Sequence, residues 1–100
     1  HSIPAPLKNA IDWLYPEWAN KAAGIVSYSM APYGGARAVE HLRNILARLA
    51  VATVQTTSSI GSVHESISEN GESVSEGIVA TLNAELSQVD SWAKALKTIR

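Results

Sequence analysis

The chain has 100 residues, of which 46% are hydrophobic, a formal net charge of −1 and no Cys. This length is typical of one small domain. The near-zero net charge argues against a broad surface for nucleic acid or an anionic membrane, because such a surface needs clustered Lys and Arg. The absence of Cys excludes disulfides, zinc–thiolate sites and thiol nucleophiles, and it fits the cytoplasmic location that we expect.

The N-terminal part predicts a helix followed by a strand. The helix spans about Pro6–Leu14, and its apolar residues recur at helical spacing: Leu7, Ala10, Ile11 and Leu14. A short strand, "GIVSYS", is predicted over Gly24–Ser29. Ile25 and Val26 are adjacent and β-branched, which favours a strand buried on both faces.

Three further elements follow. The spacing predicts a helix over about Gly35–Leu49, with one apolar stripe along it, and a strand "VATVQTT" that starts at Val51. The last predicted element is a long helix over about Glu76–Ile99. Its apolar residues step by threes and fours, as on one helix face: Val79, Leu82, Leu86, Val89, Ala93 and Leu96.

The segment between Thr56 and Ser75 is rich in Ser and long for a connection inside a compact domain. Two interpretations are open. It is either a disordered linker or a surface excursion with short turns of its own, such as "ENGE".

The alternation of helices and strands predicts an α/β fold with a parallel sheet and a right-handed strand–helix–strand crossover. Parallel sheets are covered on both faces and are seldom two strands wide. Three amphipathic helices therefore need more sheet than two strands provide. Either the chain pairs with copies of itself, or further strands precede His1; the absence of an initiator Met favours the second alternative.

Three stretches together carry a family resemblance: "SIPAPLKNAIDWL", "KAAGIVSYS" and "GGARAVEHLRNILARL". The chain resembles the C-terminal half of the NADPH-dependent FMN reductase family, whose hallmark is a Pro-Glu-Tyr-Asn loop that leads into a Leu-Lys-Asn-Ala helix. Only the last part of that motif is present, from His1 to Trp13. The resemblance extends to the C-terminus, where the closing loop and last helix are also similar to the family.

The resemblance implies a flavodoxin-like doubly wound sheet, of which this chain supplies the last two strands and three helices. Residues 1–100 would then be the C-terminal part of a single domain. The implied activity passes hydride from NADPH or NADH to FMN, and electrons onward to a quinone, metal ion, azo dye or free flavin. No catalytic side chain is expected, because the flavin carries the chemistry.

The resemblance also implies two groups of cofactor-binding residues. His1 and Ser2 end the loop that follows the flavin edge, although terminal residues are often simply frayed. Ser27, Tyr28 and Ser29 end the first strand, where backbone amides or hydroxyls would contact the polar edge of the flavin ring. Ordinary packing is the alternative for Tyr28, which replaces a small residue of several relatives.

An oligomer interface is implied for Trp13, Arg37 and Glu40, in a homodimer or homotetramer. The alternative for Arg37 and Glu40 is a solvated helix face, on which Glu40 can pair with Arg43. The alternative for the tryptophans, including Trp13, is packing within the chain. The glycines before Arg37 match no phosphate-binding fingerprint and are interpreted as a turn.

No metal site is expected, since neither His41 nor His64 has further ligands at metal-binding spacing. No Gly-x-Ser-x-Gly elbow supports a hydrolase. The rival function belongs to another class: a catalytically inert truncated fragment that folds by self-association and binds no flavin.

Overall fold

The computed structural model describes residues 1–73 and 75–100, which contain helices and short parallel strands. The helices are α1 (Ala5–Asp12), α2 (Ala36–Arg48), α3 (Val63–Ser66) and α4 (Glu76–Leu96). The strands are β1 (Ala22–Ala23), β2 (Val26–Tyr28), β3 (Ala52–Thr53) and β4 (Ser58–Ile60). Single turns of 3₁₀ helix follow α1 at Pro16–Trp18 and α4 at Lys97–Ile99. The predicted α/β fold with parallel strands is confirmed.

Four short strands stand in place of the two predicted ones. β2 lies inside the predicted strand Gly24–Ser29 and β3 inside the strand predicted from Val51, whereas β1 precedes the first and β4 follows the second. β1 pairs with β3, and β2 pairs with β4, in parallel. The partner of Ala22 lies 30 positions further along the chain, at Ala52, whereas the partner of Val26 lies 32 positions further, at Ser58. The second strand therefore accommodates two extra residues between its pairs, in a bulge over residues 54–57.

The bulge is held from both sides of the sheet. From α2, the Arg43 guanidinium donates hydrogen bonds to four oxygen atoms, those of Thr53, Val54, Gln55 and Thr57, at 2.5–3.3 Å. From α4, Gln88 Oε1 accepts a bond from the Thr56 N–H at 3.0 Å. These bonds satisfy backbone groups that the break in the strand ladder leaves without partners.

The two long helices cover opposite faces of the sheet. Ile25 packs against Val39 and Leu46 of α2 in the buried core. Its neighbour Gly24 faces α4 so closely that a Cβ atom there would lie 2.7 Å from Glu85 Oε1. Because successive strand residues point to opposite faces, α2 and α4 lie on different sides, as in a doubly wound sheet.

The buried face of α4 differs from the predicted stripe. Leu86 is 65% exposed, whereas Glu85 is only 3% exposed. The buried Ser58 hydroxyl donates to Glu85 Oε2 at 2.5 Å, which provides the carboxyl group with a partner inside the structure. Within the described residues, Glu85 Oε1 has no hydrogen-bond partner. The face of α4 that meets the sheet therefore contains the polar Glu85 as well as the apolar Val89.

The Ser-rich segment is a surface excursion with structure of its own. It contributes β4, which the sequence pattern missed, then α3, and an antiparallel bridge between Ile67 and Ser73. Val74 lies outside the described residues. Within residues 1–73 and 75–100, no helix has both the length and the apolar character needed to cross a membrane.

Candidate functional site

A cleft of about 630 Å³ lies where β2 ends and α2 begins. The N-terminal segment forms one side of it, and the loop after β2 forms another. The cleft brings together all the predicted cofactor-binding residues: His1, Ser2, Ser27, Tyr28 and Ser29. Its place beside the carboxyl end of a parallel strand is where ligands bind in open α/β sheets.

Much of the cleft wall is apolar. Leu7 comes from α1, Ile25 precedes β2, and Val39 and Leu42 come from α2. Ile25 and Val39 belong to the buried core, so these walls are fixed by the same packing that joins α2 to the sheet. An apolar floor with polar groups at its rim suits a flat ring system.

The Ser27 hydroxyl shapes the loop that closes the cleft. Ser27 Oγ donates to the Gly34 carbonyl oxygen at 2.6 Å and also contacts Ser59 Oγ at 2.9 Å. Since a hydroxyl has one hydrogen, the bond to Gly34 leaves Ser27 without a side-chain donor for a ligand. Ser27 lines the cleft, and its predicted contact with a cofactor, through a backbone amide or the hydroxyl, stays a prediction.

The N–H and the hydroxyl of Ser29 also donate hydrogen bonds within the chain. Its N–H donates to the Ile60 carbonyl at 3.1 Å, and its hydroxyl donates to the Ala31 carbonyl at 2.9 Å. Both groups fix the first turn of the loop after β2. Ser27 and Ser29 thus position the backbone of the cleft, and their predicted contacts with a cofactor stay predictions.

Gly34 explains why the loop turns so tightly. Its φ is +62°, and a Cβ atom would lie 2.8 Å from the backbone of Ser59 and Ile60. Only glycine fits both the conformation and the close approach to β4. The predicted turn is therefore observed.

Two tyrosines stand at the mouth of the cleft. Tyr28 is 71% exposed and Tyr33 is 70% exposed, and both line the cavity. Tyr33 was missed by the sequence interpretation. The position of Tyr33 could have indicated a role in binding. It is a large aromatic residue in the loop between the end of a strand and the start of a helix, where binding residues concentrate.

Arg37 also lies in the cleft, where its guanidinium group is 5.8 Å from the centre of the Tyr33 ring. Arg37 Nη1 lies 3.1 Å from His1 Nε2. A guanidinium can only donate, so His1 Nε2 accepts this bond, as a neutral imidazole does. The first residue of the chain is thereby joined to the first turn of α2.

The other predicted interface residues lie outside the cleft. Trp13 follows the last residue of α1 and is 78% exposed, so it does not pack within the described chain. Glu40 Oε1 is 3.6 Å from Arg43 Nε, which is the pairing anticipated on a solvated helix face. Trp18, in contrast, packs against the core and donates its indole N–H to the Ile11 carbonyl at 3.0 Å.

The remaining titratable residues form no metal centre in the described part of the chain. There, no three His, Cys, Asp or Glu side chains come together as ligands. His64 lies 3.5 Å from its neighbour Glu65. The side chains that line the cleft supply hydroxyl, imidazole, aromatic and guanidinium groups beside apolar walls.

Comparison with known proteins finds reductases of similar sequence. A quinone reductase of Escherichia coli (strain K12) is 33% identical over 97% of this chain and 55% of its own length. A 2-hydroxy-1,4-benzoquinone reductase of Burkholderia sp is 30% identical over 93% of this chain and 54% of its own length. An NAD(P)H:quinone oxidoreductase of Solanum tuberosum is 50% identical, over 45% of this chain and 24% of its own length.

The chain thus spans little more than half the length of the first two relatives. The sequence model that describes NADPH-dependent FMN reductases matches residues 1–65. That range contains every residue of the cleft. The match therefore covers the site as well as the fold around it, and the chain belongs to the NADPH-dependent FMN reductase family.

Proposed function

We propose that the protein carrying this chain is an NAD(P)H-dependent flavin reductase that uses FMN and delivers electrons to a quinone. The observation that carries the proposal is the cleft, which gathers the predicted flavin-contacting residues from two separate stretches, His1 and Ser2 with residues 27–29. The family match and the names of the relatives support the same reaction class.

The residues of the cleft fit a flavin ring. Leu7, Val39 and Leu42 offer apolar contacts to the ring, and the volume of about 630 Å³ lies within the ordinary range of small-molecule sites. At the rim, the Ser2 and Tyr28 hydroxyls are donors suited to the ring's polar edge. Ser27 and Ser29 would hold the backbone in place around it.

Bound FMN would supply the redox chemistry, taking a hydride from NADPH or NADH and giving two electrons to the acceptor. The chain's own residues bind and orient the ring, and the apolar walls exclude water. No protein acid or base is needed for this step. Quinones are the acceptors named among the relatives; a metal ion, an azo dye and free flavin are the other acceptor classes to be assayed.

We further propose that residues 1–100 form the C-terminal part of one flavodoxin-like domain in a cytoplasmic protein. In the described residues, each strand has one strand partner, so β1 and β2 have a free edge for another strand.

The absence of Cys agrees with the proposed cytoplasmic location, which is a reducing compartment. The exposed Trp13 supports a subunit contact in a homodimer or homotetramer.

The test uses the full-length product of the gene that encodes this chain. The purified protein is mixed with FMN, separated from free flavin, and assayed for NADPH and NADH oxidation with a quinone. Retained flavin and quinone-dependent oxidation of either nucleotide are expected. A folded protein that retains no flavin and oxidises neither nucleotide would defeat the proposal.

One observation favours a second candidate, an inert protein that folds by self-association. Val26 on β2 and Trp13 after α1 are both exposed, and β2 has a single strand partner in the described chain. Two copies could cover these surfaces across a two-fold axis. A colourless dimer that ignores FMN would support this candidate, whereas bound flavin in the same preparation would exclude it.

A further inference from the structure

We propose that the mouth of the cleft selects planar aromatic acceptors that carry an acid group. Arg37 would bind the anion, and Tyr28 and Tyr33 would provide faces against which the ring stacks. This inference deepens the proposed reductase function and rests on it. It concerns which acceptor the site prefers, a question that membership of the family leaves open.

The first argument is the charge of the cleft. Arg37 is the one permanently charged side chain among the residues that line it, and none of those residues is Asp or Glu. Glu40, one turn further along α2, pairs with Arg43 instead. Within residues 1–73 and 75–100, no carboxylate lies within 4.0 Å of the Arg37 guanidinium. A positive group above apolar walls attracts an anionic ligand more strongly than the same group in open water.

The second argument is the partner that Arg37 does have. Its contact with His1 Nε2, at 3.1 Å, joins a cation to a neutral acceptor. Carboxylate and sulfonate groups make stronger, charge-assisted bonds to guanidinium, and a carboxylate does so through two parallel bonds. An acid group of a ligand would therefore displace the imidazole of His1 from Arg37 at a net gain.

The third argument is the pair of aromatic side chains. Tyr28 and Tyr33 expose most of their surface at the cavity mouth, yet neither belongs to the core cluster. Exposed aromatic rings at a cavity are typical of surfaces that stack on flat ligands. The Tyr33 ring also lies 5.8 Å from the Arg37 guanidinium carbon, which places the positive charge next to a stacking face.

A nucleotide phosphate is the competing source of negative charge. Phosphate sites in proteins usually combine several donors, such as a Gly-rich loop and a Lys. Among the described residues that line the cleft there is a single guanidinium and no Lys. One guanidinium matches the single acid group of a small aromatic acceptor better than it matches a chain of phosphates.

The experiment compares two acceptors on the full-length protein, with FMN bound and NADPH as the electron donor: neutral naphthoquinone and naphthoquinone sulfonate. The measured quantity is the ratio of kcat/KM for the sulfonate to kcat/KM for the neutral quinone. We expect a ratio above one in the parent protein and a fall of about tenfold or more in Arg37→Gln, through KM for the sulfonate. Tyr33→Leu is expected to raise KM for both quinones.

Arg48→Gln is the matched control. Arg48 lies on the same helix, and its guanidinium carbon is 5.8 Å from the Tyr15 ring, yet it does not line the cleft. We expect it to change neither the ratio nor the rate. An unchanged ratio in Arg37→Gln would overturn the inference. A rise in KM for NADPH without a change in the ratio would also overturn it, because Arg37 would then serve the nucleotide.

A second measurement needs no turnover. Binding of naphthalene sulfonate to the same protein without FMN or NADPH is measured by calorimetry for the parent, Arg37→Gln and Arg48→Gln. If Arg37→Gln weakens this binding by about tenfold and Arg48→Gln does not, the anion site is supported even if no quinone is reduced. Equal binding by all three proteins, or no binding to the parent, contradicts it whatever the reductase assay shows.

Discussion

The Arg43 guanidinium lies 3.0 Å from the carbonyl oxygen of Val54, and this bond joins α2 to the irregular part of the sheet. The bulge after Val54 shifts the pairing of the two strands and sets β4 beside β2. β4 in turn presents the Ile60 carbonyl to Ser29 and its backbone to Gly34. The shape of the cleft therefore depends on a side chain that does not line it.

Replacing Arg43 by Lys should destabilise the protein. Lys keeps the charge but cannot reach four oxygen atoms in a planar fork. We expect the free energy of unfolding in urea to fall by about 2 kcal/mol, because the carbonyl of the buried Val54 and the hydroxyls of Thr53 and Thr57 lose a partner. Arg48→Lys, on an exposed part of the same helix, should change it by less than about 0.5 kcal/mol. Equal effects of the two variants would contradict the role of Arg43.

Glu85 is expected to stabilise the contact between α4 and the sheet. Glu85→Ala would leave the buried Ser58 hydroxyl without its acceptor and open a gap beside Gly24, at a cost of about 2–4 kcal/mol. Glu85→Gln keeps an acceptor of the same shape and should cost less than half as much. Urea unfolding measures both variants, and an Ala variant as stable as the parent would refute this packing.

Gly34 and Gly71 provide a matched pair. Both have positive φ values, +62° and +83°, but only Gly34 has backbone atoms where a Cβ would lie; nothing lies within 4 Å of that position at Gly71. Gly71→Ala should therefore cost about 1 kcal/mol, the conformational penalty alone. Gly34→Ala should cost at least about 2 kcal/mol more, and it should weaken FMN retention. Similar losses in thermal unfolding would show that the loop does not pack on β4 as described.

Trp13 and Trp92 test the proposed subunit contact. Trp13→Gln should weaken association by about 2 kcal/mol, or roughly thirtyfold in Kd, if this exposed indole lies at the centre of an interface. Sedimentation velocity over a concentration series measures the change. Trp92→Gln, on α4, is the control and should leave the mass unchanged. A parent protein that is monomeric at all concentrations would remove the basis for this contact.

Much of the fold could be predicted from the sequence because its helices have strong apolar periodicity. The predicted helix over Gly35–Leu49 differs from α2 by one residue at each end. The strands were harder. Polar residues such as Ser58 do not have the pattern of a strand, and Ser58 is held beside β2 by strand pairing and by bonds to Glu85 and Ile25. Because these partners are distant in the sequence, the residues around Ser58 show no pattern that predicts a strand.

The site was predictable in position and less so in detail. Resemblance and the rule for parallel strands indicated residues 27–29 correctly as cleft residues. Neither could show that the hydroxyls of Ser27 and Ser29 are already bonded to Gly34 and Ala31, because that depends on how the loop closes. The same closure brings Tyr33 to the mouth of the cleft.

The measurement that tests the central claim most directly is amide hydrogen exchange of the full-length protein with and without FMN. If the cleft holds the flavin, FMN should slow exchange in residues 1–4 and 25–37, which surround the cavity. The exposed side of α4, which does not line it, should be unchanged. Bound FMN that leaves exchange in residues 25–37 unaltered would contradict the assignment of the site.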